Sequence, residues 1–267
     1  MAARPRRSCL TVPGSSLHML EKAALLPADE VVVDLEDGVA ADAKDEARAN
    51  LPSAGARGTL AVRINRVSSP WWRDDLAAVA ALGPDVVVVP KVESTDDVAA
   101  VAALLPAGVG LEVQIETPRG LVEVERIAAA GHPLEALVFG PGDFAASLGV
   151  PVLTIGAGSW EYALARIAVA ARAFGLQAVD GPYADLADVG GLRAAAESAL
   201  AHGFDGKWVV HPDQIGPVHE VFTPSPEEVE RARQILAAGD GVVRLEGAMV
   251  DAATKRMAET VLARAGL

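Results

Sequence analysis

The stretch VGLEVQIETPRG (residues 109–120) and the later stretch HPLEALVFGPGDF (residues 132–144) each end an apolar run on an acidic residue at a turn. Extended apolar runs predict buried strands, and the Gly and Pro residues that follow them mark the strand ends. Neighbouring strands would bring these acids, Glu116 and Asp143, to the same edge of a sheet. Because Mg²⁺ takes one or two carboxylates and fills its other positions with water or substrate oxygens, the pair predicts a magnesium site.

Two structural interpretations of these acids stay open. Asp143 stands where it can cap a helix beginning at Phe144, and Glu116 is close enough in sequence to pair with Arg119. Structural ion pairs perturb carboxylates as functional sites do, so a single strand-end acid does not decide between these alternatives.

The chain has 267 residues, of which 51% are hydrophobic, and a formal net charge of −13. This length fits one barrel-sized domain, and the charge argues against a nucleic-acid surface. An anionic ligand therefore needs a local basic patch, for which Arg4, Arg6, Arg7 and Lys22 are candidates. The single cysteine, Cys9, predicts a reducing, cytoplasmic setting and a buried hydrophobic role. We expect no membrane association, because the chain has neither a signal-peptide pattern nor a membrane-spanning run.

Eight apolar runs predict strands, and Ala-rich segments of helical period lie between them. Strands that are apolar on both faces and alternate with helices predict an α/β fold, a (β/α)₈ TIM barrel. A doubly wound open sheet is the alternative, although no GxGxxG motif follows the first strand. The predicted strands are 8–13, 30–35, 60–64, 85–90, 110–115, 136–140, 176–181 and 207–211. The predicted helices include 18–26, 74–82, 95–105, 120–130, 160–174 and 190–201.

A C-terminal helical extension follows the predicted barrel. Ser225 and Glu228 have the spacing of a capping box at its start, and a Gly-rich stretch, residues 239–247, precedes a last helix. The sequence leaves open whether this extension packs on its own barrel or reaches a neighbouring chain. The predicted domains are the barrel, residues 1–222, and the extension, residues 223–267.

Polar residues follow nearly every predicted strand, and chemistry in a TIM barrel lies at the carboxyl ends of the strands. Their convergence on one rim is difficult to explain as loop solvation. Acids outnumber bases there, which favours a bound cation. These residues are Asp34, Glu36, Asp37, Arg63, Asn65, Lys91, Glu93, Glu116, Asp143, Asp180, Lys207 and His211.

Arg63 is the best-placed electrophile among them, because a guanidinium grips a carboxylate with two hydrogen bonds and stabilises a developing oxyanion. A structural salt bridge to Asp37 is the alternative. The acids of the second strand, Asp34, Glu36 and Asp37, are predicted to hold metal-bound waters and orient the guanidinium, or else to form a buried ionic network. Lys91 is a weak candidate for a Schiff base, since the surrounding acids keep it protonated.

Motifs along nearly the whole chain carry a resemblance to a known family. They include LTVPGSSLHMLEKA (10–23), VVVDLEDGVAADAKDEARANL (31–51), SPWWRDD (69–75), EVQIETPRGL (112–121), FGPGDFAASLGV (139–150), GKWVVHP (206–212) and EGAMVDAATKRMAE (246–259). In this order they resemble the citrate lyase beta subunit and malyl-CoA lyase family. The resemblance implies a TIM barrel with an added C-terminal segment, assembled as a homotrimer or a hexamer.

The resemblance also implies roles for residues of the rim. Glu116 and Asp143 match the two Mg²⁺ ligands, with Mn²⁺ as a substitute metal. Arg63 matches the arginine that binds a 2-oxo acid and polarises its carbonyl. The backbone of Gly142 lies beside the oxo-acid site.

Further matches concern the thioester and the acid–base group. Val179 and Asp180 match a contact to the acyl thioester arm, and Lys22 matches a lysine that contacts the CoA phosphates. Asp251 matches an acid that the adjacent subunit supplies as the general acid/base. Because a carboxylate is a weak base for a carbon acid, burial at that interface is expected to raise the pKa of Asp251.

The chain departs from the family at CoA-binding positions. Malyl-CoA lyases carry an aromatic residue and an arginine where this chain has Thr11 and Ser16, and His18 stands where citrate lyase relatives often carry arginine. Thr11 and Ser16 are therefore assigned to CoA binding with altered side chains.

The implied activity is a Mg²⁺-dependent lyase of the Claisen type. It cleaves or forms malyl-CoA or methylmalyl-CoA type thioesters, with acetyl- or propionyl-CoA and a 2-oxo acid such as glyoxylate on the other side. A malyl-CoA thioesterase, which needs the same residues, and a citryl-ACP lyase subunit are alternatives. A non-catalytic binding barrel is a further alternative, disfavoured because the metal, arginine and acid–base positions are all retained.

Overall fold

The computed structural model describes residues 4–239 and 241–267. Its first eight strands pair in parallel with their sequence neighbours, and the eighth pairs with the first, which closes a barrel. The TIM barrel prediction is confirmed, and the doubly wound alternative is wrong. Each predicted strand corresponds to one observed strand. They are β1 (Ser8–Pro13), β2 (Glu30–Asp34), β3 (Thr59–Arg63), β4 (Val86–Val89), β5 (Gly110–Ile115), β6 (Leu134–Phe139), β7 (Gln177–Asp180) and β8 (Gly206–Val209).

Helices follow the strands, and their ends obey ordinary capping rules. Ser94 accepts a hydrogen bond from the Asp97 N–H while the Asp97 carboxylate accepts from the Ser94 N–H, which forms a capping box. The segment predicted as one helix at 120–130 is two short helices that meet at Glu123. None of the described helices is both long and apolar enough to cross a membrane. The helices are α1 (Leu17–Ala23), α2 (Lys44–Asn50), α3 (Trp72–Leu82), α4 (Thr95–Ala102), α5 (Pro118–Val122), α6 (Val124–Ala128), α7 (Pro141–Leu148), α8 (Glu161–Ala173), α9 (Val189–Ala201), α10 (Ile215–Phe222), α11 (Pro226–Ala237) and α12 (Ala252–Arg264).

A buried apolar cluster fills the barrel interior and fixes which face of each strand points inward. It contains Cys9, which is fully buried as predicted, together with Val32, Val179 and other strand residues. Because side chains alternate between the faces of a strand, Asp34 points inward with Val32, and Asp180 points outward, away from Val179.

An ionic cluster occupies the amino-terminal end of the barrel. Arg6 is 1% exposed, and its Nε lies 2.5 Å from Glu112 Oε1 and 3.3 Å from Glu30 Oε2. Arg4 and Arg7 pair with other acids near the same end of the strands. The prediction that these three arginines form a patch for an anionic ligand is therefore wrong. Of that group only Lys22 is exposed at the surface, in the last turn of α1.

The described residues divide into two compact units, one ending at Val218 and the other comprising His219–Leu267. In the second unit α11 packs against α12, and the predicted capping box of Ser225 and Glu228 is confirmed. The Gly-rich stretch contains an antiparallel hairpin of β9 (Val243–Leu245) and β10 (Ala248–Val250). Asp240, within that stretch, and the start of the basic N-terminal segment lie outside the described residues.

Candidate active site

Arg63, the last residue of β3, forms a bidentate ion pair with Asp34, the last residue of β2. The Arg63 Nε lies 2.8 Å from Oδ1 of Asp34, and its Nη2 lies 2.7 Å from Oδ2. Its Nη1 lies 3.3 Å from Oε1 of Gln114 and 3.3 Å from Oε2 of Glu36. The guanidinium carbon sits 5.4 Å from the ring centroid of Trp208. These contacts fix both the position and the plane of the guanidinium.

The ion pair stays charged because its two members support each other. Burial raises the pKa of the Asp34 carboxyl, but Arg63 outweighs burial and holds that pKa below its ordinary value. Burial lowers the pKa of Arg63, but Asp34 and Glu36 raise it above its usual range. The predicted salt bridge of Arg63 with Asp37 is wrong, since Asp37 contacts Lys91 instead.

Glu116 and Asp143 both contact Lys91. Glu116 is 2% exposed, and its Oε1 accepts a hydrogen bond of 2.8 Å from the Lys91 backbone N–H. The Asp143 Oδ2 lies 3.2 Å from the Lys91 Nζ. Gly140 makes room for this arrangement, because a β-carbon there would lie 2.3 Å from Oε2 of Glu116. Neighbouring strands therefore deliver both carboxylates to one place, as their sequence positions predict.

The two structural interpretations of these acids do not describe the structure. The helix that contains Asp143 begins at Pro141, after the N-cap residue Gly140, so Asp143 lies in its first turn and not at its cap. The Glu116 carboxylate contacts the backbone of Lys91. The negative charge of Asp143 in this first turn still interacts favourably with the helix dipole.

The electrostatics at Glu116 fit a divalent cation. Burial raises the pKa of Glu116 to about 8, with Glu36 and Asp143 adding to the rise, while Arg63 and Lys91 oppose it. Such a carboxyl keeps a proton until a cation takes its place. Within the described residues no cluster of three or more His, Cys, Asp or Glu side chains could hold a metal. Two carboxylates with the other positions left to water and substrate match what Mg²⁺ takes.

Lys91 connects the acids of this rim. Its Nζ lies 2.5 Å from Glu36 Oε1 and 2.8 Å from Asp37 Oδ2, besides the contact with Asp143. Burial lowers the pKa of Lys91, but Asp37 and Glu36 outweigh burial and raise the pKa above its ordinary value. The protonated amine disfavours the Schiff-base alternative. A cavity of about 340 Å³ opens beside Lys91 and Asp143.

The strand-seven residues lie on opposite faces of the sheet. Val179 is buried in the barrel interior. The Asp180 carboxylate accepts a 2.5 Å hydrogen bond from the Lys207 Nζ and a 2.8 Å hydrogen bond from the Gly181 N–H. Lys207 is 1% exposed and belongs to this ion pair, so the prediction that the two charged groups line the rim is wrong. Any contact of Asp180 with a ligand inside the barrel has to come from its backbone.

The remaining predicted ligand contacts lie on one strand–helix unit. Thr11 is half-buried on the inward face of β1, and Ser16 is the N-cap of α1, where its hydroxyl accepts from the Met19 N–H at 3.4 Å. Lys22 is exposed in the same helix. His211 has a structural role, because its Nδ1 accepts from the Asp213 N–H at 3.2 Å.

Asp251, in the second compact unit, is the N-cap of α12. Its Oδ1 accepts hydrogen bonds of 2.9 Å from both the backbone N–H and the hydroxyl of Thr254. These bonds hold the pKa of Asp251 below its ordinary value in the single chain. The expected rise in pKa depends on burial by another chain and stays a prediction.

Sequence reasoning missed two partners of Arg63. Gln114 lies two residues before Glu116 and therefore on the same face of β5, so the strand period was a usable signal. The ring of Trp208 faces the guanidinium, a contact that was not predicted from the sequence. Nothing in the sequence indicated that the Lys91 N–H binds Glu116.

Fold and site together define a TIM barrel that carries a clamped arginine and two nearby carboxylates, Glu116 and Asp143, at the carboxyl ends of its strands. The family model described as HpcH/HpaI aldolase/citrate lyase matches residues 7–212. The chain belongs to this family.

Two similar proteins carry the names of enzymes that act on malyl-CoA. The L-malyl-CoA/beta-methylmalyl-CoA lyase of Cereibacter sphaeroides is 39% identical, over 98% of this chain and 95% of the relative. The (3S)-malyl-CoA thioesterase of the same organism is 41% identical, over 93% of this chain and 90% of the relative. Among solved structures, CitE from Mycobacterium tuberculosis with magnesium, acetoacetate and coenzyme A has a TM-score of 0.86 and 35% identity, covering 100% of this chain and 99% of that one.

Proposed function

We propose that this chain is a Mg²⁺-dependent carbon–carbon lyase that acts on CoA thioesters of the malyl-CoA or methylmalyl-CoA type. It releases acetyl- or propionyl-CoA and a 2-oxo acid such as glyoxylate, or runs the reverse condensation. The observation that carries the proposal is the bidentate clamp of Arg63 by Asp34 beside Glu116. Family membership and the names of the relatives support it.

Glu116 and Asp143 would hold a Mg²⁺ ion in this proposal, and the bound ion would supply Lewis-acid polarisation of the oxo-acid carbonyl. Arg63 binds the oxo-acid carboxylate and stabilises the oxyanion that develops on that carbonyl oxygen. Glu36 and Asp34 keep the guanidinium in plane for this task. In this proposal the Gly142 backbone lies beside the bound oxo acid, and a β-carbon at this position would be in ordinary van der Waals contact with Ile155, 3.4 Å away.

Asp251 acts as the acid–base group. In condensation its carboxylate removes a proton from the α-carbon of acetyl-CoA, and in cleavage it returns that proton to the enolate. A neighbouring subunit supplies this residue, so residues 223–267 complete the site of another chain in a homotrimer or hexamer. Large apolar side chains exposed on the second unit, Val242, Met249 and Met257, support burial of this unit in an assembly.

The CoA moiety runs along β1 and α1. Thr11 and Ser16 contact it, and the exposed ammonium of Lys22 pairs with its phosphates, since phosphate binding in an acidic protein needs a local cation. The backbone at Val179 and Asp180 contacts the thioester. The proposal places the enzyme in the cytoplasm, a reducing compartment in which a single unpaired cysteine such as Cys9 is expected.

Hydrolysis of malyl-CoA is the second candidate function. The identity with the (3S)-malyl-CoA thioesterase, 41%, is slightly higher than with the lyase, 39%, and the same residues serve both reactions. In the hydrolase, water attacks the thioester carbonyl and releases free CoA.

A product assay on the purified protein separates these functions. Malyl-CoA is incubated with Mg²⁺, and glyoxylate, acetyl-CoA and free thiol are measured separately, with an EDTA control. The lyase produces glyoxylate and acetyl-CoA without free thiol, and EDTA stops it. Free CoA without glyoxylate assigns the thioesterase, and full activity in EDTA overturns the metal. Inactivity on CoA thioesters together with cleavage of citryl-acyl carrier protein assigns the citryl-ACP lyase.

A further inference from the structure

We propose that Lys91 is a positioning residue that contacts both Glu116 and Asp143 and acts as a built-in counter-cation for them. Its positive charge weakens Mg²⁺ binding and strengthens binding of the anionic oxo acid. The inference rests on the proposed function, because it concerns a residue that contacts both proposed metal ligands. In this proposal Lys91 is assigned no contact with the reacting atoms. Its ammonium and its backbone act on the two metal ligands instead.

The backbone of Lys91 is held in an unusual conformation. Its φ is +53°, in the left-handed region that non-glycine residues rarely occupy. Such a conformation persists only where the surroundings hold it, and it clusters at functional sites. Here it turns the Lys91 N–H onto Oε1 of Glu116, at 2.8 Å. A strand that simply continued beyond β4 would direct this N–H elsewhere.

The same residue sends its side chain to the other metal ligand. The ammonium reaches Asp143 Oδ2 at 3.2 Å, while Glu36 and Asp37 hold it from the opposite direction at 2.5 Å and 2.8 Å. One residue therefore touches Glu116 through its backbone and Asp143 through its side chain. The ammonium therefore lies 3.2 Å from one of the two carboxylates that a cation between them would bind.

The charges around the site determine whether Lys91 raises or lowers the affinity for each ligand. Five carboxyl groups, those of Asp34, Glu36, Asp37, Glu116 and Asp143, surround the cations of Arg63 and Lys91. Removing the Lys91 charge makes the site more negative. Like charges repel and opposite charges attract with an energy that rises as their separation falls, so Mg²⁺ binds more tightly and an anionic oxo acid more weakly. A residue with only a structural role would not shift the two affinities in opposite directions.

The test is titration calorimetry of Mg²⁺ alone into the wild type, Lys91→Met and Lys91→Arg, at one pH. Methionine keeps the length and the strained backbone position but removes the charge. We expect Lys91→Met to bind Mg²⁺ about tenfold more tightly, and Lys91→Arg to stay within about threefold of the wild type. At saturating Mg²⁺, glyoxylate is expected to bind Lys91→Met about tenfold more weakly.

Arg126→Met is the matched control. Arg126 lies on α6 with 80% of its side chain exposed and pairs with Glu123, so its loss makes the same change in total charge away from the site. It is expected to leave both affinities unchanged. If Lys91→Met does not fold, Lys91→Gln carries the same expectation with a polar side chain.

Lys91→Met binding Mg²⁺ as weakly as the wild type, or more weakly, overturns the inference. In that case wild-type cleavage of malyl-CoA with EDTA sensitivity leaves the proposed function standing. A wild-type protein that binds no Mg²⁺ overturns both together.

Discussion

Arg63 and Asp34 stand in register on neighbouring strands and join as a planar, bidentate ion pair inside the barrel. The Nε and Nη2 groups both bind Asp34, and Nη1 makes two contacts of 3.3 Å, to Gln114 and Glu36. The guanidinium therefore has one edge fixed and one edge turned toward the site. Fixing a donor before the ligand arrives removes reorganisation from the reaction itself, which is how preorganised electrostatic groups accelerate chemistry.

Asp34→Asn is expected to lower kcat/KM for malyl-CoA cleavage by about 10²-fold, the scale of losing one preorganised donor. The amide presents an N–H toward the guanidinium, so the bidentate clamp opens. Arg63→Lys is expected to be at least as impaired, because a point charge cannot replace a planar fork. Steady-state assays at saturating Mg²⁺ check both variants.

Glu125→Gln is the control for this clamp. Arg166 grips Glu125 with bonds of 3.0 Å and 2.9 Å on an exposed surface, so the same type of ion pair is broken outside the site. It is expected to retain wild-type kcat/KM. Wild-type turnover by Asp34→Asn would mean that the clamp does not orient Arg63 for catalysis.

Mg²⁺ affinity is expected to rise with pH up to about pH 8 and then to level off, because the pKa of Glu116 is raised to about 8 by burial. Below that pH the metal has to displace a proton, and above it the carboxylate is already charged. Calorimetry in buffers of different ionisation enthalpy measures the protons released at each pH. A pH-independent affinity, or the same proton release from Glu116→Gln, contradicts the prediction.

Asp251→Asn is expected to fold, because Asn is as good an N-cap as Asp for α12. It should bind Mg²⁺ and lose cleavage by about 10²–10⁴-fold, the usual contribution of a positioned acid–base group. Mixing this variant with Glu116→Gln under conditions that exchange subunits is expected to restore part of the activity, since some sites then combine an intact Glu116 with a neighbour's Asp251.

Asp188→Asn is the control for a change at an N-cap, since Asp188 caps α9 and its other oxygen accepts from the Tyr183 hydroxyl. It is expected to keep its activity. Mixtures that remain inactive although light scattering shows mixed oligomers would place the Asp251 requirement within one chain.

The ionic cluster at the other end of the barrel is expected to make stability depend on pH. Burial, with Glu112 adding to it, raises the pKa of Glu30 well above 4.5, so the folded chain holds this proton more tightly than the unfolded chain. The free energy of unfolding therefore falls as pH rises above about 4.5 toward the folded pKa. Glu30→Gln mimics the protonated form and should flatten this decline, as urea unfolding at pH 6 and pH 9, roughly bracketing neutrality, will measure.

Arg6→Met tests the same cluster from its cation. The substitution leaves Glu112 buried without its partner, and the loss of one member of a buried pair costs about 3–5 kcal/mol. Urea unfolding at neutral pH checks the value, with Arg126→Met as the surface control. Stability equal to the wild type would show that the buried carboxyls do not depend on Arg6.

Strand order and the rim acids were predictable from the sequence because they depend on local patterns. An apolar run such as residues 110–115 predicts a buried strand from its own residues alone. A Gly/Pro turn after each of two such runs places Glu116 and Asp143 at strand ends. The capping box of Ser225 was predictable for the same reason, since its partner Glu228 stands three residues away.

Pairings between distant residues were not predictable in this way. The sequence left open which acid of the second strand meets Arg63, with a salt bridge to Asp37 as one alternative, and the parallel register of β2 and β3 sets Arg63 opposite Asp34. Arg6 was grouped with a ligand-binding patch, although it turns into the barrel to meet Glu112, which is 106 residues away. Asp180 and Lys207 were both assigned to the rim, but the alternation along their strands turns their side chains outward together.

The sequence by itself determined the eight-stranded α/β barrel, the acids at its carboxyl ends and, through its motifs, the family, because strand period, turn residues and motif order are properties of neighbouring residues. Only the tertiary structure decided which charge meets which. Barrel closure sets the register and the inward face of every strand, and burial then determines which carboxyl keeps its proton. The partners of Arg63, the left-handed Lys91 and the high pKa of Glu116 follow from that closure and cannot be read from any single segment.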